Sequence, residues 1–171
     1  MPDDFIRQWG DPALYEHAAP ITVFDDLLRA RAARLCRRLE LADGAGLAAT
    51  QVGWLRRLFA FRPTREHPTD VLVNPRIVWR SDRVETFLEG CLSFDAVAVP
   101  VRRSFAVRVT GFDIYGNARE LECEGFSASL VQHEIDHLDG ILTLHRADQA
   151  ARRRAIEALL SRTTEVVRLA A

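Results

Sequence analysis

The stretch QHEIDHLDG at residues 132–140 places two histidines four residues apart, with a glutamate directly after the first. On an α-helix a step of four residues returns to the same face, so His133 and His137 can offer imidazole nitrogens to one metal ion. Glu134 then lies at the edge of that face, where it can act on water as a general base without being a ligand. Taken alone, the pattern indicates either a metal site or an ordinary solvated helix whose histidines are satisfied.

A catalytic divalent site usually has three protein ligands and one open position, so a third ligand is needed. Downstream of the motif, His145 is the remaining histidine, and Glu157 and Glu165 lie in an arginine-rich tail at no persuasive spacing. Upstream, the stretch EGCLS at residues 89–93 places a cysteine next to a glycine, where backbone can approach closely and a thiolate can be aimed. We therefore expect Cys91 to be the third ligand.

A third stretch, GAGLAATQ at residues 44–51, is a loop of small residues that ends in an amide side chain. Together, the three stretches resemble the peptide deformylase family, whose signatures are G-x-G-x-A-A-x-Q, E-G-C-L-S and Q-H-E-x-D-H in that order. All three are complete here, and three ordered matches are far more specific than one short pattern. Residues 10–14 and 73–75 also look like segments of this family.

The resemblance implies metal-dependent hydrolysis of the formyl group from the N-terminal methionine of nascent polypeptides, with release of formate. It implies three ligands for one divalent ion per chain, namely Cys91, His133 and His137. The ion is expected to be Fe²⁺, although Zn²⁺, Ni²⁺ or Co²⁺ can occupy such ligands. Glu134 is the expected proton carrier, and the Gln51 side chain and the Leu92 backbone N–H are the expected donors to the developing oxyanion.

The resemblance also implies a strand-like groove for the formylmethionyl peptide. The residues expected to line it are Gly44, Ala45, Gly46, Glu89, Gly90, Phe126, Ser129 and Leu130. Phe126 and Ser129 lie seven and four residues before His133, so a helix places all three along one cleft.

Several polar residues near the motifs are expected to play supporting roles. Glu89 and Arg103 form either a structural ion pair or a contact at the substrate edge. We expect Asp136 and Gln132 to orient ligands or to cap local backbone.

Three positions depart from the family pattern. EGCLS continues as FDA at residues 94–96, where an apolar residue and a proline are common, and Ala98 stands where some members carry an arginine. Ser129 is polar where an aliphatic residue is common.

A buried hydroxyl without a partner costs on the order of 1–3 kcal/mol, so we expect Ser129 to bond back to the carbonyl of Gly125 and leave the pocket apolar. A hydroxyl that faces the cavity is the alternative, and it makes the pocket wider and wetter.

Composition narrows the class of protein. The chain has 171 residues, 48% hydrophobic and 27% charged, which suits a globular protein with a single domain over residues 1–171. A net charge of -1 gives no case for specific DNA binding, and no window approaches the ~20 apolar residues of a membrane span. The acidic start carries no leader pattern, and the 3 cysteines have no paired spacing. A cytoplasmic location is therefore expected.

The pattern of elements predicts an α+β fold, with antiparallel or mixed sheets around a central metal-binding helix, an N-terminal helix and a C-terminal helix. An extended arm at residues 5–21 precedes a helix capped by Asp25 and stopped at residues 43–44. Short strands follow, with a bend at residues 74–75 and a hairpin turn at residues 115–117. Gly125 opens the histidine helix. A C-terminal helix from Ala150 is expected to pack on the sheet through Ile156, Leu160 and Val167.

Two other function classes stay open at this point. An H-E-x-x-H peptidase is disfavoured because a downstream ligand is missing, whereas a weak or non-catalytic relative with altered specificity fits the changes in the groove. The arginines of the C-terminal helix could also meet ribosomal RNA phosphates, although a solvated helix face is the ordinary interpretation.

Overall fold

In the part of the chain that the structure describes, one α-helix precedes seven strands, and three further α-helices follow them. The computed structural model describes residues 5–64 and 66–169. Its helices are α1 (Asp26–Leu41), α2 (Phe126–Leu138), α3 (Thr143–Arg146) and α4 (Gln149–Leu169), and short 3₁₀ helices span Pro12–Tyr15 and Ala49–Val52. Its strands are β1 (Gly46–Ala48), β2 (Leu58–Phe61), β3 (Asp70–Arg80), β4 (Val84–Cys91), β5 (Phe94–Ser104), β6 (Ala106–Phe112) and β7 (Ala118–Glu124).

The strands form two antiparallel sheets, which confirms the predicted fold class. A five-stranded sheet has the order β1-β2-β3-β6-β7, and β4 pairs with β5 in a two-stranded sheet. The predicted hairpin joins β6 to β7, where Val107 lies opposite Cys123 and Val109 opposite Leu121. Because β4 and β5 leave the large sheet, they can bring the cysteine stretch over the end of α2.

The large sheet packs between α1 and α2. Along β2, Phe59 and Phe61 join the core cluster of α2, whereas Leu58 and Ala60 join the cluster of α1. Successive strand side chains point to opposite faces, so this apolar run buries both sides of the sheet. From residue 128 to residue 138 every side chain of α2 is buried, which places the histidine motif at the centre of the molecule.

Helix α1 begins and ends where the sequence predicts. The Asp25 carboxylate accepts a hydrogen bond from the Leu28 N–H at 2.9 Å and so caps the first turn. The predicted apolar face is buried, and its members are Leu28, Ala32, Leu35 and Leu39. Asp43 then adopts a φ of 52°, a left-handed conformation that turns the chain towards the glycine loop.

Helix α4 packs against β5 through a different face from the predicted one. Its fully buried members are Ala151, Ala155 and Leu159. Leu160 is 53% exposed, so its predicted burial is wrong, and Ile156 lies at the edge of the contact. The buried face is rotated by one residue, about 100°, because two alanines let the helix approach β5 closely. Val167 lies outside the side chains that the structure describes.

Strand β3 runs through residues 74–75, where the sequence predicts a bend. Asn74 adopts a φ of 50°, and the register of β3 against β6 shifts between Val73 and Arg76. The Asn74 side chain bonds both the N–H and the carbonyl of Ile21 at 2.8 Å, which stabilises this bulge and ties the N-terminal arm to the sheet. Within residues 5–64 and 66–169, no helix is long and apolar enough to cross a membrane.

Candidate metal centre

Two structural elements supply the three candidate ligands. Helix α2 presents His133 and His137 on one face, as the four-residue spacing predicts, and their Nε2 atoms lie 3.2 Å apart. Strand β4 ends at Cys91, where the pairing with β5 shifts register directly after Gly90. Such a bulge redirects a side chain, and here it brings Cys91 Sγ to 3.2 Å from His137 Nε2. All three donor atoms lie within 4.8 Å of one another.

The surroundings of this cluster fit a divalent cation. His133 Nδ1 lies 3.0 Å from a carboxylate oxygen of Glu89, and this contact holds Nδ1 towards Glu89 and Nε2 towards the other ligands. Burial lowers the pKa of His137 well below its usual value, and the neighbouring His133 lowers it further, so this ring stays neutral. Two imidazoles and a thiol converge on one point, a donor set that suits iron, zinc, nickel or cobalt.

Glu134 lies beside the cluster and is 2% exposed. Burial raises the pKa of its carboxyl group to about 7. Its Oε2 atom has no hydrogen-bond partner among the described residues, so this oxygen is available to a water molecule or a substrate group. A buried carboxylate with an open oxygen is what a general base next to a metal requires.

Gln51 and Leu92 both lie next to Cys91. The Gln51 side-chain amide accepts a hydrogen bond from the Ala48 N–H at 2.8 Å, while its Nε2 donates to Ser93 Oγ at 3.0 Å and lies 3.5 Å from Cys91 Sγ. These contacts hold the amide in one orientation beside the ligands. Leu92 follows Cys91 in the turn between β4 and β5, so its backbone lies at the same place.

A cavity of about 510 Å³ opens in front of these residues. Of the residues predicted for the site, it is lined by Gly44, Ala45, Gly46, Gln51, Glu89, Gly90, Cys91, Leu92, Phe126, Ser129, Leu130, His133 and Glu134. His137, the remaining predicted ligand, lies behind them in the ligand cluster.

Sequence reasoning did not include the rest of the wall among the site residues, although it noted Ala98 as a departure; this part is formed by Phe87, Leu88, Phe94, Val97 and Ala98. Phe87 and Leu88 belong to β4, and the other three belong to β5. A signal for them existed in the alternating apolar residues on either side of EGCLS. Ala98 is exposed at the cavity, and the Asp95 side chain lies outside the described ones.

Glu89 and Arg103 form a buried structural ion pair, which resolves one of the open alternatives. Arg103 Nε and Nη2 bond the two Glu89 oxygens at 2.8 and 3.0 Å. Burial would raise the pKa of Glu89, but the hydrogen bonds from Arg103 and His133 outweigh it and hold the pKa at about 2. Arg103 also contacts Asp136, which pairs with Arg146 at 2.7 Å, so a chain of charges runs from His133 to the surface.

The predicted bond of the Ser129 hydroxyl is wrong. Ser129 Oγ donates to Glu89 Oε1 at 2.8 Å rather than to the carbonyl of Gly125. The carboxylate, 40 residues away in sequence, is a stronger acceptor than the neutral carbonyl of the helix. Gln132 caps local backbone, as one of its two expected roles requires, by donating to the carbonyls of Ser104 and Ala128, each at 2.9 Å.

The fold and the ligand cluster together define a candidate metalloenzyme of the class that builds its site on an H-E-x-x-H helix. A family model described as polypeptide deformylase matches residues 4–153, and the chain belongs to this family. The peptide deformylase of Thermotoga neapolitana is 40% identical over 147 residues, which are 86% of this chain and 88% of that protein. Peptide deformylase 1 of Corynebacterium glutamicum is 38% identical over 155 residues, which are 88% of this chain and 90% of that protein.

Solved structures give the same result. The crystal structure of the peptide deformylase from Thermotoga maritima has a TM-score of 0.81 and 37% identity, and the match covers 84% of this chain and 97% of that one. The peptide deformylase of Synechococcus elongatus in complex with actinonin has a TM-score of 0.86 and 32% identity, with 92% and 88% covered. The family predicted from the three sequence stretches is therefore confirmed.

Proposed function

We propose that this chain removes the N-formyl group from the N-terminal methionine of nascent polypeptides by hydrolysis and releases formate. The convergence of Cys91, His133 and His137 within 4.8 Å, next to Glu134 and facing a cavity, carries this proposal. The family membership and the extent of the structural match support it. The product amine and formate follow from cleavage of the formyl C–N bond by water.

The three ligands would hold one divalent ion, and we propose Fe²⁺, with Zn²⁺, Ni²⁺ or Co²⁺ as possible replacements on the same donors. When bound, such an ion acts as a Lewis acid towards the formyl oxygen and lowers the pKa of water. The donor set supports this range of metals because a thiolate and two imidazoles are neither strongly hard nor strongly soft ligands.

Glu134 is the proposed proton carrier. Glu134 lines the cavity beside the ligands and its Oε2 atom has no partner among the described residues, so it can take a proton from the attacking water. The same carboxyl group then returns the proton to the leaving nitrogen, which departs as a neutral amine. Gln51 Nε2 and the Leu92 N–H are the proposed donors to the oxyanion that forms when water adds to the formyl carbon.

The groove beside the ligands is the proposed peptide site. It is lined by Gly44, Ala45 and Gly46 from the glycine loop and by Glu89 and Gly90 from β4. Phe126 and Leu130 add apolar side chains to its lining, which suits a methionine side chain. The differences at Asp95, Ala98 and Ser129 make altered peptide preference the main alternative.

Hydrolysis of formyl-Met-Ala-Ser under anaerobic conditions tests the proposal. The protein is loaded with Fe²⁺ or Ni²⁺, formate is measured enzymatically, and the peptide products are identified by mass spectrometry. Formate release without internal cleavage supports the proposal, whereas internal cleavage supports a peptidase. Metal binding without formate release supports a non-catalytic relative.

A ribosome contact through α4 is a further part of the proposed function. Arg153 and Arg154 are exposed on this helix, whereas Arg152 is engaged with backbone carbonyls of residues 144, 145 and 147. A chain that ends at Ser161 keeps Leu159 and the two buried alanines, so it suits a co-sedimentation test better than a shorter one. Undiminished sedimentation of that chain carrying Arg153→Gln and Arg154→Gln would remove the idea.

The cytoplasmic location and the single domain over residues 1–171 stay predictions. The cysteines Cys36, Cys91 and Cys123 are all free, which agrees with a reducing compartment. The packing of α4 on β5 supports one domain, because the C-terminal helix shares a core cluster with Leu14 near the start of the chain.

A further inference from the structure

Ser129 is buried in the wall of the cavity, where the resemblance leads one to expect an aliphatic residue. It is 3% exposed, and its hydroxyl points across the cavity wall from α2 to β4, where it donates to Glu89 Oε1 at 2.8 Å. Since Ser129 and His133 are four residues apart on one helix face, both bond the same carboxylate from the same side. Glu89 therefore bridges two successive turns of α2.

The Glu89 carboxylate has all of its acceptor positions filled. Oε1 accepts from Arg103 Nε at 2.8 Å and from Ser129 Oγ at 2.8 Å. Oε2 accepts from Arg103 Nη2 at 3.0 Å and from His133 Nδ1 at 3.0 Å. A carboxylate offers about four lone-pair directions, so this group can turn only by breaking a bond in a buried place.

We propose that Ser129 is a positioning residue for the metal site, acting through Glu89 on the orientation of His133. The inference rests on the proposed metal ligands and goes beyond them. Arg103 binds one edge of the carboxylate as a fork, and the fork alone permits the plane to tilt about the contact. The Ser129 hydroxyl occupies the other position of Oε1, so it opposes that tilt. The carboxylate plane then stays in line with the Nδ1–H of His133, and Nε2 stays aimed at the ligand cluster.

The same bond also determines whether Ser129 can donate a hydrogen bond to a substrate side chain in the pocket. The single proton of the hydroxyl is used by Glu89, so Ser129 has no donor left for a substrate side chain. A serine at this position thus removes the bulk of an aliphatic side chain without adding a hydrogen-bond donor to the cavity. Phe126 and Leu130 remain its apolar neighbours.

Metal retention tests the proposal independently of formyl-peptide hydrolysis. The wild-type chain and the Ser129→Ala and Ser129→Thr variants are loaded with Co²⁺, and loss of the ion to an excess chelator is followed by the visible spectrum. Loss of a residue that orients a ligand typically lowers metal affinity 10–100-fold, and Ser129 acts one bond further away, so a change of about 3–10-fold is expected for Ser129→Ala. The cobalt bands should shift as well, and Ser129→Thr should restore both properties.

Ser127→Ala is the matched control, because Ser127 lies on the same helix, is partly exposed and does not line the cavity. It should release cobalt at the wild-type rate. Thermal unfolding of the cobalt-free variants separates a general loss of stability from a change at the ligands. Cobalt retention and a spectrum equal to the wild type in a folded Ser129→Ala variant would overturn the proposal.

The outcomes also separate this proposal from the proposed function. If the wild type binds cobalt but releases no formate, and Ser129→Ala still loses cobalt faster, the positioning role stands and the proposed reaction fails. If the wild type releases formate and Ser129→Ala retains cobalt normally, the reaction stands and the positioning role fails. Absence of cobalt binding to the wild type overturns both.

Discussion

Gly46 lies directly against the carboxylate of Glu134, at the point where β1 crosses α2. A Cβ atom at this position would overlap Glu134 Oε1 and would lie 2.7 Å from the Leu130 side chain. The glycine of the stretch GAGLAATQ is therefore required by the glutamate of the stretch QHEIDHLDG. This contact explains in physical terms why two stretches almost ninety residues apart form one site.

Gly46→Ala should displace Glu134 and lower kcat/KM for a formyl peptide by more than about 10-fold. Overpacking of a buried contact typically costs about 1–3 kcal/mol, so a lower midpoint of urea unfolding is also expected. Gly90→Ala is the control for stability, because a Cβ there meets nothing within 4 Å. If both variants unfold at the same urea concentration as the wild type, the close approach of Gly46 to Glu134 is wrong.

The sequence predicts the elements in which apolar residues recur at regular spacing. It does not predict elements in which a buried charged residue interrupts that spacing. Helices α1 and α2 and the β6–β7 hairpin follow from apolar spacing and turn residues. Strand β5 is hard to predict from its pattern, because its inward positions end in Arg103, a charge that strand patterns normally exclude. Arg103 is 5% exposed and stable there only because Glu89 and Asp136 neutralise it.

The candidate site could be predicted in its ligands but not in its supporting bonds. Spacing on a helix is a local property, so His133, His137 and Glu134 follow from the sequence. The partner of Ser129 is a carboxylate on another strand, and local reasoning favoured the helix carbonyl instead. Contacts between distant segments depend on how β4 is placed against α2. The spacing of residues within either segment does not predict that placement.

Cys91→Ala should lose most of the bound divalent metal, because a neutral imidazole pair holds such an ion far less well than a site with a thiolate. Metal content per chain, measured by plasma mass spectrometry after gel filtration, checks this. Cys123→Ala is the matched control, since Cys123 lies on β7 away from the cavity. Full metal occupancy in the Cys91→Ala chain would show that the third ligand lies elsewhere.

Glu134→Ala should keep the metal and lose most of the rate. General acid-base transfer contributes typically ~10²–10⁴-fold, so a fall of that size in kcat is expected while the metal content stays near one ion per chain. The comparison of kcat with metal content distinguishes a proton carrier from a ligand. An unimpaired Glu134→Ala enzyme would falsify the assigned role.

The thiol of Cys36 should titrate at high pH. Burial, together with the charges of Glu40 and Asp70, raises the pKa of this thiol to about 11 from an ordinary value of 9.0. Alkylation of Cys36 by iodoacetamide should therefore be slow at pH 8 and accelerate up to about pH 11, as peptide mass spectrometry would record. Half-maximal reactivity near pH 9 in the folded protein would contradict the shift.

The raised pKa of Cys36 also predicts how stability depends on pH. Below pH 9 the thiol is protonated in both the folded and unfolded states, so it has no effect on their balance. Between pH 9 and about pH 11 the unfolded chain loses the proton while the folded chain keeps it, and the free energy of unfolding falls. Cys36→Ala should show a smaller decline over this interval than the wild type in urea titrations.

The pocket should prefer methionine over a polar side chain at the first position of the substrate. Phe126 and Leu130 line the pocket with apolar side chains. The Ser129 hydroxyl beside them donates its hydrogen bond to Glu89. Formyl-Met and formyl-norleucine peptides with a common tail should have similar kcat/KM values, because the two side chains fill nearly the same apolar volume. A formyl-Ser peptide loses that contact and gains no donor in return. Differences of this kind are worth about 10–200-fold, and a serine peptide as good as the methionine one would show that the Ser129 hydroxyl faces the substrate after all.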